Sequence, residues 1–140
     1  MSWQHQVNRF AGAVTRALYR RSGGRVGGSM RGAPVLLLTT TGRKSGKPRT
    51  VPLLYLRAGN ALAVVASEGG APRHPAWFFN LQAEPGVEIE LGRTRERRRA
   101  REATDEERAT LWPRLVELYP PYESYQQKTT RTIPVVLLER

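Results

Sequence analysis

The stretch Val35-Leu-Leu-Leu-Thr-Thr-Thr-Gly-Arg-Lys-Ser-Gly-Lys-Pro-Arg-Thr-Val-Pro-Leu-Leu-Tyr-Leu56 decides the fold. Val35–Thr40 is a short, almost wholly apolar strand, and Thr50–Leu56 is a second run rich in branched and aromatic residues. Between them, Thr41–Pro48 carries two glycines and a proline, the punctuation of a hairpin loop. Strands joined this closely pair antiparallel. Working outward, Ala58-Gly-Asn60 is a turn and Ala61–Ala66 a third strand, followed by the polar loop Ser67–Arg73. His74–Leu81 reads as one or two helical turns, with Pro75 near the start. Val87–Leu91 alternates as a strand, Gly92 begins a turn, and Arg95–Ala103 pairs back, its five arginines predicting a solvent-washed strand.

Thr104 with Glu107 forms a capping box ahead of an apolar helical face, Leu111, Leu115 and Leu118. Pro120 ends that helix at Tyr119. Pro121 opens a shorter one bearing Tyr122 and Tyr125, and Ile133–Leu138 is an apolar strand suited to the centre of a sheet. Upstream, Trp3, Val7, Phe10, Val14 and Leu18 fall on one stripe of a helix over Ser2–Arg20, and the glycine-rich joint Ser22–Gly28 breaks it. The expected fold is mainly β (α+β): an antiparallel sheet closing as a barrel, with an N-terminal helix and helices before the last strand. A chain of 140 residues suits one domain, with helix and linker over 1–31 and the barrel over 32–140.

Composition narrows the chemistry. There is no cysteine, which removes disulfides, thiolate metal sites and a cysteine nucleophile. Two histidines, His5 and His74, cannot make a histidine-rich metal centre, and no nucleophile–base–orienter set is visible. An enzyme built this way needs a cofactor for its hard chemistry. The apolar runs Val35–Leu38 and Val135–Leu138 are too short to span a bilayer, and without an apolar signal core near the start the expectation is a cytoplasmic protein. The formal net charge is +11, from 23 basic and 12 acidic residues, which invites an anionic partner: nucleic acid, a lipid surface or a multiply charged small molecule.

The loop Gly42–Arg49 concentrates that charge: Arg43, Lys44, Lys47 and Arg49 surround Ser45 and Gly46. Its glycines let backbone N–H groups turn inward on an anion, and its arginines can grip phosphate with two parallel bonds. The spacing is not that of a P-loop, and no helix follows. A solvated basic hairpin is the other reading. Trp77 and Asn80, three residues apart on a helical turn, make either the wall and handle of a ring pocket or plain core. Tyr119, Tyr122 and Tyr125 around a helix break are either an acceptor cleft or a packing cluster. His74, before a proline, reads as a surface or capping residue.

Three segments together resemble the deazaflavin-dependent nitroreductase family and its actinobacterial quinone reductases: Leu37–Arg49, His74–Leu81, and Tyr125-Gln126 through Arg131-Thr-Ile-Pro134. The resemblance runs from Gly23 to the end. It implies a split β-barrel and coenzyme F420, an 8-hydroxy-5-deazaflavin with a phospholactyl-oligoglutamate tail. By motif match, Lys44 and Arg49 would hold the phosphate, with Arg43, Ser45 and Gly46 completing the cradle. Ala66 and Ser67 would line the ring, with Pro75, Ala76, Trp77 and Asn80 opposite. Hydride would pass to a quinone, nitroaromatic or enone, with Ser67 and Tyr125 as catalytic donors and Tyr119 and Tyr122 shaping the acceptor pocket. Leu54 and Glu68 depart from the nitroimidazole-reducing pattern. Rival readings are an FMN-binding split barrel and a basic nucleic-acid module using Arg93–Arg101. The N-terminal helix, apolar on one face and arginine-rich on its flank, also suits peripheral membrane contact, and the chain is expected as monomer or homodimer.

Overall fold

The computed structural model describes residues 16–17, 19–22, 29–30 and 32–140. A short strand β1 (Ser29–Met30) leads into the long β2 (Ala33–Thr41), which turns back as β3 (Pro48–Leu54). Next come β4 (Leu56–Ala58), β5 (Ala61–Val65), a 3₁₀ turn (Glu68–Gly70) and helix α1 (Ala76–Ala83). Strands β6 (Gly86–Leu91) and β7 (Thr94–Glu102) form the second long hairpin. Helices α2 (Asp105–Leu118) and α3 (Pro121–Lys128) and strand β8 (Val135–Glu139) complete the chain.

Every pairing is antiparallel, in the order β3-β2-β6-β7-β8-β5-β4, with β1 on the start of β2. The sheet curls into a split barrel, the split falling where β3 bonds to β2 alone. Sequence explains that position. Pro48 and Pro52 both lie on β3, and a strand that lacks donors belongs at an edge. Register sets Thr40 opposite Arg49 and Thr41 opposite Pro48, so residues 42–47 form the hairpin loop. The expected second strand, Thr50–Leu56, is broken at Tyr55, whose N–H leaves β3 to bond the Pro34 carbonyl at 3.1 Å.

The sheet separates two apolar clusters, and β8 feeds both. Val135 and Leu137 pack with Val35, Leu37, Leu111 and Leu115; Val136 and Leu138 pack with Leu36, Leu38, Ile89 and Phe78. A strand buried on both faces reads as a continuous apolar run, which is why Ile133–Leu138 looked central. The capping box forms as expected: Glu107 N–H donates to Thr104 Oγ1 at 3.2 Å, and Thr104 N–H to Glu107 Oε1 at 2.9 Å.

Strand β7 corrects the sequence reading at Arg98. Arg98 is 4% exposed and donates to the carbonyls of Asn60 and Leu138, both at 3.0 Å, while pairing with Glu96. Arg101 bridges Glu107 and Glu139, and Arg95 lies beside Glu88 and Glu90. Arg98 and Arg101 are thus taken up in bonds between strands, while Arg95, Arg97 and Arg99 are exposed, as a solvent-washed strand requires.

Residues 16–17 and 19–22 are helical. Tyr19, 1% exposed, donates to the Glu90 carbonyl at 3.0 Å and accepts from Gly92 N–H at 2.7 Å, and Arg20 pairs with Glu90 at 3.0 Å. That end of the expected N-terminal helix thus docks on β6. Its stripe residues Trp3, Val7, Phe10, Val14 and Leu18, and the joint at 23–28, lie outside the described residues.

Candidate active site

A cavity of about 470 Å³ opens at the split of the barrel. Val51–Leu54, along the unpaired edge of β3, form one side together with Val35. Val65 and Ser67–Gly69, where the chain leaves β5, also line it, with Trp77 from α1 and Tyr119, Tyr122 and Tyr125 from the end of α2 and from α3. The lining is mostly apolar, with hydroxyls from the serine and the phenols and a carboxylate from Glu68. Trp77 is 7% exposed, so core residue and cavity wall are the same residue.

The tyrosines meet because α2 and α3 are joined by a two-proline break. Tyr119 and Tyr122 pack edge to face with ring centres 5.0 Å apart, and Tyr125 stands 6.3 Å from Tyr122. The Tyr119 and Tyr125 oxygens are 3.5 Å apart, the outer limit of a hydrogen bond. Burial, reinforced by the neighbouring phenols, pushes the Tyr122 hydroxyl well above its ordinary range, so it stays a neutral donor.

The wall after β5 is an unusual piece of backbone. Glu68, Gly69 and Gly70 have φ of 46°, 65° and 83°, three successive left-handed residues. Gly70 is pressed against α3: a Cβ there would sit 2.7 Å from the Tyr125 carbonyl oxygen. Arg131 clasps the turn from behind. Its guanidinium donates to the carbonyls of Ala71 (2.8 Å), Ser67 (2.9 Å) and Ala66 (3.2 Å) and to His74 Nδ1 (2.9 Å). Since an arginine cannot accept, His74 is the neutral tautomer with its proton on Nε2. Burial first, and then the Arg131 charge, hold the His74 pKa below its ordinary value.

The basic loop is a separate feature at the far end of β3. Gly42 N–H bonds Lys47 O at 2.8 Å, Gly46 N–H bonds Gly42 O at 2.7 Å, and Lys47 N–H bonds Ser45 Oγ at 3.1 Å. Gly46 has φ of 72°, which the turn requires and a side chain would resist. Asn80 pins the loop to α1: its Nδ2 donates to Thr40 Oγ1 and its Oδ1 accepts from Arg43 N–H, both at 3.1 Å. Arg43 lies over the Phe79 ring at 4.7 Å. Among the described residues, no carboxylate lies within ion-pairing distance of Arg43, Lys44, Lys47 or Arg49, whereas Glu88, Glu90, Glu96, Glu107 and Glu139 are all paired on the other hairpin and its neighbours. Arg49 stands two residues from Val51 on one strand, so the cradle begins about 7 Å from the slot.

The expected residues therefore divide into three groups. Ser67, Trp77, Tyr119, Tyr122 and Tyr125 line the cavity. Arg43, Lys44, Ser45, Gly46 and Arg49 form the cationic turn and its edge. Ala66, Pro75 and Asn80 are buried away from the cavity lining, and Ala76 lies exposed at the start of α1. The sequence reading missed Thr40, which Asn80 holds, and the Arg131–His74 clasp. His74 is a bonded acceptor rather than a surface or capping residue.

An apolar slot one strand-step from an unpaired cationic turn, on a split antiparallel barrel, suits an oxidoreductase that takes a flat coenzyme with a phosphate arm. The F420H(2)-dependent quinone reductase family matches residues 13–140, and the chain belongs to that family. It is 46% identical over 128 residues to an F420H(2)-dependent quinone reductase of Mycobacterium tuberculosis, covering 89% of this chain and 86% of that one. Among solved structures, an F420-H2 dependent reductase (FDR-A) superposes with a TM-score of 0.70 at 50% identity, covering 76% of this chain and 94% of that one. Another, described as a domain-swapped dimer, gives 0.72 at 41% identity over 99% of this chain and 98% of the other. Neither the FMN reading nor the nucleic-acid reading is favoured by these likenesses. The family's cofactor is F420, and the residues fit it: the unpaired cations suit its phosphate and glutamate tail, and the slot between β3 and the 3₁₀ turn suits a flat ring.

Proposed function

We propose that this chain reduces a quinone at the expense of reduced F420, with the deazaflavin in the slot between β3 and Ser67–Gly69. The observation that carries this reading is the adjacency of four cations without carboxylate partners to an apolar cavity rimmed by phenols. Lys44 and Arg49 would hold the phosphate, with Arg43, Ser45 and Gly46 supporting them. Trp77 supplies a flat wall, and Asn80 keeps the loop in place through Thr40 and the Arg43 amide. The bound coenzyme supplies the hydride. Ser67 and Tyr125 donate hydrogen bonds to negative charge developing on the acceptor oxygen, and the apolar walls exclude water so that these bonds act in a low dielectric. Tyr119 and Tyr122 set the width of the acceptor space. Nitroaromatic and enone acceptors present the same kind of oxygen and fall within this reading.

Anaerobic mixing of protein, reduced F420 and a menaquinone analogue tests it. Oxidation of the coenzyme that depends on both protein and quinone supports the proposal; no oxidation contradicts it.

The homodimer expectation draws support from the relative described as a domain-swapped dimer. The membrane expectation rests on the apolar stripe and arginines of the N-terminal sequence; among the described residues no helix is long and apolar enough to cross a membrane. Sedimentation with anionic liposomes, comparing the full chain with one starting at Gly23, tests the contact.

A further inference from the structure

We propose that Arg131 is a positioning residue for the reaction, holding the Ser67–Gly70 wall of the cavity in a shape its backbone would otherwise leave. The inference rests on the reading of the cavity as the place where coenzyme and acceptor meet.

The turn has a conformational reason to relax. Glu68 is a side-chain-bearing residue at φ 46°, and two left-handed glycines follow it. Such backbone persists only where the surroundings over-determine it. Its internal bonds are few: Gly70 N–H to Ser67 O at 2.8 Å and Ala71 N–H to Glu68 O at 3.1 Å. Arg131 supplies the rest. Four hydrogen bonds from one planar group fix Ala66, Ser67 and Ala71 relative to one another and to His74. A lysine, with three donors on one atom, cannot reproduce that fork.

The clasp is itself anchored. Gln126 Nε2 donates to the Arg131 carbonyl at 2.7 Å, while Gln126 Oε1 accepts from Ile133 N–H and Arg108. His74 is held by ring contacts with Phe78 and Phe79 at 4.8 and 5.7 Å. All four acceptors are neutral, so no ion pair accounts for the guanidinium's place; Glu68 attracts it without a hydrogen bond. Arg131 touches none of the cavity-lining side chains' polar atoms, yet it fixes the backbone that carries Ser67. Displacements of about 1 Å in a reacting geometry cost on the order of a hundredfold in rate.

The test compares wild type, Arg131→Ala and Arg131→Lys, with and without millimolar guanidinium ion. Two readouts are taken: amide hydrogen exchange over residues 66–74 in cofactor-free protein, and kcat with a menaquinone analogue alongside F420 affinity. In Arg131→Ala, exchange at Gly70 and Ala71 should rise at least tenfold and kcat should fall tenfold or more. F420 affinity should weaken by a smaller factor than kcat falls, because the phosphate cradle lies on another loop and only the ring shares the loosened wall. Guanidinium should restore part of both losses in Arg131→Ala and nothing in wild type. If Arg131→Ala does not fold, Arg131→Lys carries the test, with faster exchange and lower kcat expected. Wild-type exchange, wild-type kcat, or a loss that guanidinium does not repair in folded Arg131→Ala would overturn the proposal. Should wild type itself reduce no quinone, the reading of the site falls, and the exchange experiment still decides whether Arg131 holds the turn.

Discussion

Gly70 and Tyr125 are in backbone contact: the hydrogen that stands in for a side chain on Gly70 points at the Tyr125 carbonyl, and a carbon there would come within 2.7 Å of its oxygen. This contact packs the turn after β5 against α3, so the Ser67 and Tyr125 sides of the cavity are joined through it. Gly70→Ala must either push α3 away or abandon φ of 83°, and should cost about 2–4 kcal/mol in denaturant unfolding while lowering quinone turnover. Gly69→Ala is the control. It is left-handed too, at 65°, but has open space around it, and should cost only about 1 kcal/mol. Equal costs for the two would mean that the contact contributes nothing.

Ser67→Ala and Tyr125→Phe each remove one hydroxyl from the cavity lining. Each should lower kcat roughly 10- to 100-fold with coenzyme affinity nearly unchanged, since the bond matters most as charge develops. Steady-state kinetics at saturating coenzyme separates the two quantities. Unchanged kcat in both variants would remove these residues from the mechanism.

How much of this was readable in the chain depends on distance along it. The β2–β3 hairpin, the Thr104–Glu107 capping box and the proline break at Tyr119 are local patterns, and all form, with the second strand of the hairpin shifted to Pro48–Leu54. The cationic loop was equally legible, although only the tertiary placement of the acids shows that, among the described residues, its charges have no carboxylate partner. Arg98 and Arg131 were not legible. Arg98 finds its carbonyls 38 and 40 residues away, and Arg131 its acceptors 57 to 65 residues away. An arginine among other arginines carries no sign of which one will be buried. Trp77 is both cavity wall and core, because the slot is the open side of the core.

Acid should loosen the clasp. His74 is neutral while it accepts from Arg131, and its folded pKa lies below the ordinary 6.5. The unfolded chain binds the proton more readily, so stability is greatest above about pH 6.5 and falls as pH drops from there toward the folded value. His74→Asn can still accept but does not titrate, and should flatten this dependence in thermal melts between about pH 7 and pH 5. A wild-type profile identical to the variant's would contradict the assignment.

A second acid transition belongs to the helix cap. Arg101 first, and the Thr104 amide next, hold the Glu107 carboxyl down at about 2 from its ordinary 4.5. Its contribution to stability is present above the ordinary value and is lost as pH falls toward about 2. Glu107→Gln should therefore reduce the fall in stability between about pH 5 and pH 2, read by circular dichroism. The same slope in variant and wild type would place the acid transition elsewhere.

The most direct test of the account is a fluorescence titration of F420 against wild type and a Lys44→Ala/Arg49→Ala double variant, with FMN run beside it. The account predicts saturable F420 binding that exceeds FMN binding, and a loss of on the order of a hundredfold or more in the double variant, since each charge-assisted phosphate contact contributes about 1.5–3 kcal/mol. Equal F420 affinity in both proteins, or a wild type that binds FMN and not F420, would contradict it.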